Sequence, residues 1–177
     1  VNVEVCIQDD EEELLEGDRE VDAKNTANRP IAPETWERWF QAWLEVLQPD
    51  QSPIHAYELS LRFTSDQAIQ QLNHQYRQQD QPTDVLAFAA LEFMCPQPQE
   101  LQATLPLYLG DIVISMGTAQ QQAEAQNHPL KVELAWLAAH GLLHLLGWDH
   151  PDANSLDRML KQQRDLLESI GLVSKTG

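Results

Sequence analysis

Residues 140–150 read HGLLHLLGWDH. His140 and His144 are four apart, and on a helix side chains at that spacing share one face. Both imidazoles can then reach a single ion at the roughly 2.0 to 2.1 Å of a zinc–nitrogen bond. Gly147 stands where such a helix must stop. Glycine enters the left-handed conformation at little steric cost, so the chain can reverse there and swing His150 back toward the same point. Three neutral imidazoles then fill three corners of a tetrahedron and leave the fourth to water or a substrate oxygen, as in a catalytic rather than a structural zinc site. Zinc is the expected metal, although imidazole also suits nickel, iron and copper. Asp149, beside the third histidine, is placed either to hydrogen-bond a ligand imidazole and fix its tautomer or simply to shape the turn. His55, His74 and His128 show no ligand spacing and read as surface residues.

The same spacing occurs in the zinc-binding segment H-E-x-x-H-x-x-G-x-x-H of a large protease class, with Gly141 here in place of the glutamate. In those enzymes the glutamate is the general base toward water at the zinc. Gly141 offers no proton acceptor, so peptide hydrolysis is the weaker reading. Phosphodiester cleavage makes a different demand: the metal polarises a phosphoryl oxygen or activates water, while a cation steadies the charge that builds on phosphorus. Arg77, in NHQYRQQDQPTDVLAF, lies between a helix and a strand, where a planar guanidinium can make paired bonds to phosphate. Alone, such an arginine reads as a surface residue.

Hydrophobic periodicity indicates what positions these residues. VNVEVCI alternates and predicts an opening strand. A helix from near Pro33 carries Trp36, Trp39, Phe40, Trp43, Leu44 and Leu47 on one stripe, a core face rather than a base-stacking platform. HAYELSLRFTS alternates Tyr57, Leu59, Leu61 and Phe63 as a half-buried strand. Thr64 followed by Gln67 predicts a capping-box start for the next helix, whose apolar face is Ile69, Leu72 and Tyr76. VLAFAALEF and LYLGDIVISM read as strands joined by a Pro- and Gln-rich connection. Three helices follow: GTAQQQAEAQN, a segment from Pro129 that buries leucines on one side and presents the histidine pair on an edge, and DANSLDRMLKQQRDLLESIG closed by Gly171. The order β-α-β-α-β-β-α-α-α implies a single α+β domain over residues 1–177, with a mixed sheet of about four strands packed with about five helices and the metal site on a C-terminal helix and the turn after it.

Composition bounds the function. An apolar fraction of 42% in 177 residues is ordinary for one soluble domain with a core. No apolar run approaches the roughly 20 residues of a membrane helix, and VNVEVCIQDDEEE lacks the basic-then-apolar order of a signal peptide. Two cysteines, Cys6 and Cys95, far from the histidines, suit a reduced cytoplasmic setting. The net charge is −17, and residues 1–24 hold ten acids against two bases. Residues 9–30 are therefore expected to form an acidic flexible insertion. Such acidity opposes nonspecific grip on a polyanion, because phosphate affinity comes largely from Lys and Arg displacing counterions. A role on RNA must rest on a local basic feature.

HGLLHLLGWDH, with NHQYRQQDQPTDVLAF and LGDIVIS upstream in that order, resembles the YbeY family of bacterial metal-dependent endoribonucleases, or ribosomal RNA maturation factors, over about residues 55–170. The resemblance implies His140, His144 and His150 as zinc ligands, His140 and Arg77 as residues needed for cleavage, and single-strand-specific cutting of RNA. It further implies processing of the small-subunit ribosomal RNA 3′ end, disposal of defective ribosomes, and ribosomes with their proteins as partners; neither DNA nor a membrane is an expected partner. Ala87 stands where the family usually has serine, and AFAA lacks the proline that commonly follows the phenylalanine. The acidic stretch and the connection over residues 93–108 look like additions to the family core. The rival from another class is a non-catalytic ribosome-assembly factor whose metal stabilises the fold, and its acidity suits basic ribosomal proteins.

Overall fold

Alternating side chains build the sheet. In β2 (Ala56–Thr64) Tyr57, Leu59, Leu61 and Phe63 all face one side and are buried, while Glu58, Ser60 and Arg62 on the other side are only partly covered, as a half-buried strand requires. β1 (Asn2–Asp9) pairs parallel with β2, Val3 opposite Tyr57, and β4 (Leu107–Ser115) pairs parallel on the other side. β3 (Val85–Ala89) closes that edge antiparallel to β4, giving a mixed four-stranded sheet in the order β1-β2-β4-β3. This computed structural model describes residues 1–10, 31–93 and 98–172. Most of the acidic insertion, part of the 93–108 connection and Cys95 lie outside the described residues.

LYLGDIVIS contains a change of phase that simple alternation hides. A register shift in the β2–β4 pairing lies where Glu58 and Ser60 face Tyr108 and Asp111. Core-facing residues accordingly switch from Leu109 to Ile112 and Ile114. Gly110 sits at the switch with φ +136°, and a Cβ there would lie 2.1 Å from the Phe88 carbonyl oxygen. Only glycine tolerates both the conformation and the approach, as at other β-bulges. The β3–β4 ladder ends at Ala89 opposite Gly110. VLAFAALEF is therefore not one strand: its second half turns into the short helix α3 (Ala90–Phe93), with Leu91 68% exposed.

Seven helices accompany the sheet among the described residues, because the connection also carries a turn of helix, α4 (Gln99–Gln102). The five long ones are α1 (Pro33–Leu47), α2 (Asp66–Arg77), α5 (Met116–Ala125), α6 (Leu130–Leu145) and α7 (Ala153–Ser169). α1 buries Trp36, Trp39, Phe40 and Trp43 against β1 and α7, and the Trp43 indole donates to the Leu166 carbonyl at 2.9 Å. α2 covers the opposite face, where Ile69 packs with Leu86 and Val113. Its cap is Ser65, which accepts from Ala68 N at 3.2 Å; Thr64 instead ends β2 and donates to the Asp10 carboxylate at 2.5 Å. α6 is the central helix. It packs on β3, β4, α5 and α7 and is buried on nearly all sides, not on one stripe, as a helix apolar all round must be. His128 is also not a surface residue. Its side chain is 4% exposed beneath the start of α6 and pairs with buried Glu133 at 2.5 Å. No helix among the described residues is long and apolar enough to cross a membrane.

Candidate metal centre

The last turns of α6 carry His140 and His144, four residues apart as helix geometry requires for a shared face. Beyond Leu145 the helix ends in a left-handed glycine motif: Gly147 has φ +95°, its N–H reaches the His144 carbonyl at 3.0 Å, and the Trp148 N–H reaches the Leu143 carbonyl at 2.9 Å. That reversal returns the chain toward the helix end. His150 comes back to it, so that one ligand nitrogen from each of the three rings lies within 4.8 Å of the others. Ring centroids are 4.6, 5.5 and 6.0 Å apart.

The donor set fits a cation. The Nε2 atoms of His140 and His144 approach to 3.0 Å. His140 Nδ1 is paired with Gln163 Oε1 at 3.1 Å; an amide oxygen only accepts, so Nδ1 carries the proton and Nε2 presents a lone pair. Burial pushes the His140 pKa below the ordinary value, and for His144 burial together with the charges His140 and His150 would carry pushes it down to about 4. Both rings are thus held neutral, the state in which imidazole ligates a metal. His150 is exposed and completes the set from solvent.

The site opens into a cleft of about 600 Å³ lined by Arg77, Ala87, His140, Gly141, His144 and Asp149 among others. Arg77 ends α2, and its Nη2 donates to the Ala87 carbonyl at 2.8 Å while the guanidinium lies 5.5 Å from the centre of the Phe88 ring. The contact uses the backbone carbonyl of residue 87, so the Ala87 side chain takes no part in it. Asp149 accepts from the His150 N–H at 2.8 Å, a bond within the turn. Gly141 lies against β4, where a Cβ would meet Ile112 Cγ2 at 2.7 Å. Any side chain there would push helix and sheet apart.

Sequence reasoning missed Gln163, 1% exposed and the partner of His140. A signal existed. Gln163 stands on the same stripe of α7 as Met159, Leu166 and Leu167, all buried, and a polar residue in an apolar phase asks for a partner.

Fold and site together define a single-domain α+β protein in which three imidazoles that could hold a metal ion converge, two of them lining a cleft with Arg77. The chain belongs to the YbeY family: the model described as "Endoribonuclease YbeY" matches residues 21–171. Similar proteins named endoribonuclease YbeY include that of Trichodesmium erythraeum, 61% identical over 144 residues covering 81% of this chain and 79% of the relative. That of Trichormus variabilis is 54% identical over 173 residues, covering 97% and 96%. A solution structure of a Thermotoga maritima protein shares the fold at TM-score 0.51, with 22% identity and coverage of 94% of this chain and 89% of that one.

Proposed function

We propose that this chain is a zinc-dependent endoribonuclease of single-stranded RNA. Its place of work is the cytoplasm, where it matures the 3′ end of small-subunit ribosomal RNA and takes part in ribosome quality control. Membership of the YbeY family supports RNA cleavage. The observation that carries the reading at the level of chemistry is the convergence of His140, His144 and His150, the first two of which line a cleft with Arg77. A zinc ion held by those rings would polarise a phosphoryl oxygen and acidify water.

Arg77 supplies the complementary charge. One of the five N–H donors of its guanidinium bonds the Ala87 carbonyl, and the rest are available to nonbridging phosphate oxygens. The Phe88 ring, centred 5.5 Å from the guanidinium carbon, gives the cation a second contact before substrate arrives. With glycine at 141 and its Cβ position blocked by Ile112, the helix provides no carboxylate of the protease kind. Two nucleophiles fit this arrangement, water and the ribose 2′-hydroxyl. The net charge of −17 favours basic ribosomal proteins as partners over extended contact with RNA.

The test compares zinc-loaded protein with His140→Ala and Arg77→Ala on a single-stranded RNA. Each substitution should lower the cleavage rate by about 10² or more, the usual effect of removing an electrostatic stabiliser. Cyclic phosphate ends would identify the 2′-hydroxyl as nucleophile, and cleavage independent of the 2′ group would identify water. Uncut RNA with the unmodified protein, or a normal rate with folded Arg77→Ala, refutes the reading.

A further inference from the structure

The amide of Gln163 settles the tautomer of His140. At 1% exposure both of its polar atoms need partners, and it finds two: the backbone carbonyl of Trp136 at 3.4 Å from Nε2, and His140 Nδ1 at 3.1 Å from Oε1. A carbonyl can only accept, so the NH₂ group must face Trp136 and the oxygen must face the ring. The ring nitrogen facing that oxygen must then donate. His140 is therefore protonated on Nδ1, and its lone pair lies on Nε2, the atom 3.0 Å from His144 Nε2. Trp136 and His140 are on α6 and Gln163 is on α7, so the bond also ties ring orientation to the docking of two helices. The neutral amide does this without bringing a negative charge to the site.

We infer that Gln163 is a positioning residue of the metal centre: it selects the tautomer and the rotation of His140 that aim Nε2 at the point shared with His144 and His150. The inference rests on reading the three rings as cation ligands. Outer partners of ligating histidines act in this way by fixing the tautomer and raising ligand basicity. Gln163→Leu keeps comparable bulk in an apolar stripe while removing the acceptor. Gln163→Glu keeps an acceptor oxygen at the same reach.

Two measurements test this. Zinc affinity is determined by competition with a chromophoric chelator, using full-length protein and the two variants. Gln163→Leu should bind zinc about 10–100-fold more weakly, and Gln163→Glu should recover most of that loss. Nitrogen-15 NMR of the imidazoles in metal-free protein should show His140 as the Nδ1–H tautomer, with a shift toward Nε2–H in Gln163→Leu. A folded Gln163→Leu protein with undiminished zinc affinity overturns the inference and leaves the metal site standing. Failure of the unmodified protein to bind zinc sinks the metal site itself. Should Gln163→Leu not fold, the unmodified protein still decides: an Nε2–H tautomer at His140 overturns the role of Gln163, and the Nδ1–H tautomer, with zinc affinity retained in Gln163→Glu, upholds it.

Discussion

Burial and two neighbouring imidazoles push the pKa of His144 from 6.5 down to about 4. In the unfolded chain it titrates near its ordinary value. Between about pH 6.5 and pH 4 the unfolded state therefore binds more protons, and stability falls as the pH falls; above 6.5 the contribution is complete. Urea unfolding of metal-stripped protein should show a lower midpoint at pH 5 than at pH 7.5, and a flat profile across that range would contradict the burial of these rings. Gly141 makes a second case at this scale. With Ile112 Cγ2 at 2.7 Å from a Cβ, Gly141→Glu should destabilise the protein by about 1–3 kcal/mol through overpacking, measured by denaturant titration, and should yield no cleavage of a denatured protein substrate. Histidine spacing was legible in the sequence. The reason for Gly141 was not, since it depends on a strand that precedes it by 29 positions in the chain and touches it in space.

The element that assembles the site is the junction of α6 and α7. Gly147 adopts φ +95° with nothing within 4 Å of a Cβ, so Gly147→Ala meets no steric obstacle except that of the backbone itself. The left-handed strain should reduce stability by about 1–2 kcal/mol, read as a lower Tm. Zinc affinity should fall with it, because His150 reaches the other rings only through this reversal; an unchanged affinity would show that the loop returns His150 by another route. Past the turn, Asp152 and Ser155 form a reciprocal capping box that starts α7 and so fixes where Gln163 falls. The turn glycine was readable as a residue type. The bulge at Gly110, the break after Ala89 and the shift of the α2 cap from Thr64 to Ser65 were not, because each is set by pairing with another strand or by a carboxylate distant in sequence.

At the scale of the whole molecule, a net charge of −17 and a histidine trio that could hold one cation near Arg77 imply that the proposed RNA substrate is gripped at few phosphates. The salt dependence of binding counts them: for single strands the slope of log K against log salt is about −0.7 per phosphate neutralised. Anisotropy titrations of a labelled single-stranded RNA should give a slope between about −0.7 and −2, and Arg77→Ala should make it shallower by nearly one phosphate's worth. A steep slope, unmoved by that substitution, would mean that RNA lies on another surface.

The sequence by itself determined the histidine trio, the turn that gathers it, the α+β order and the family. These are local: i, i+4 spacing, a left-handed glycine and strand alternation act over a few residues, and their physics does not wait for the rest of the chain. Only tertiary structure decided that α6 is buried on nearly all sides, that His128 is hidden with Glu133, and that Arg77 shares a cleft with His140 and His144. It also decided that Gln163, 23 residues from His140, lies within hydrogen-bond reach of that ring. Those facts depend on which elements pack together, and packing joins residues that no spacing rule relates.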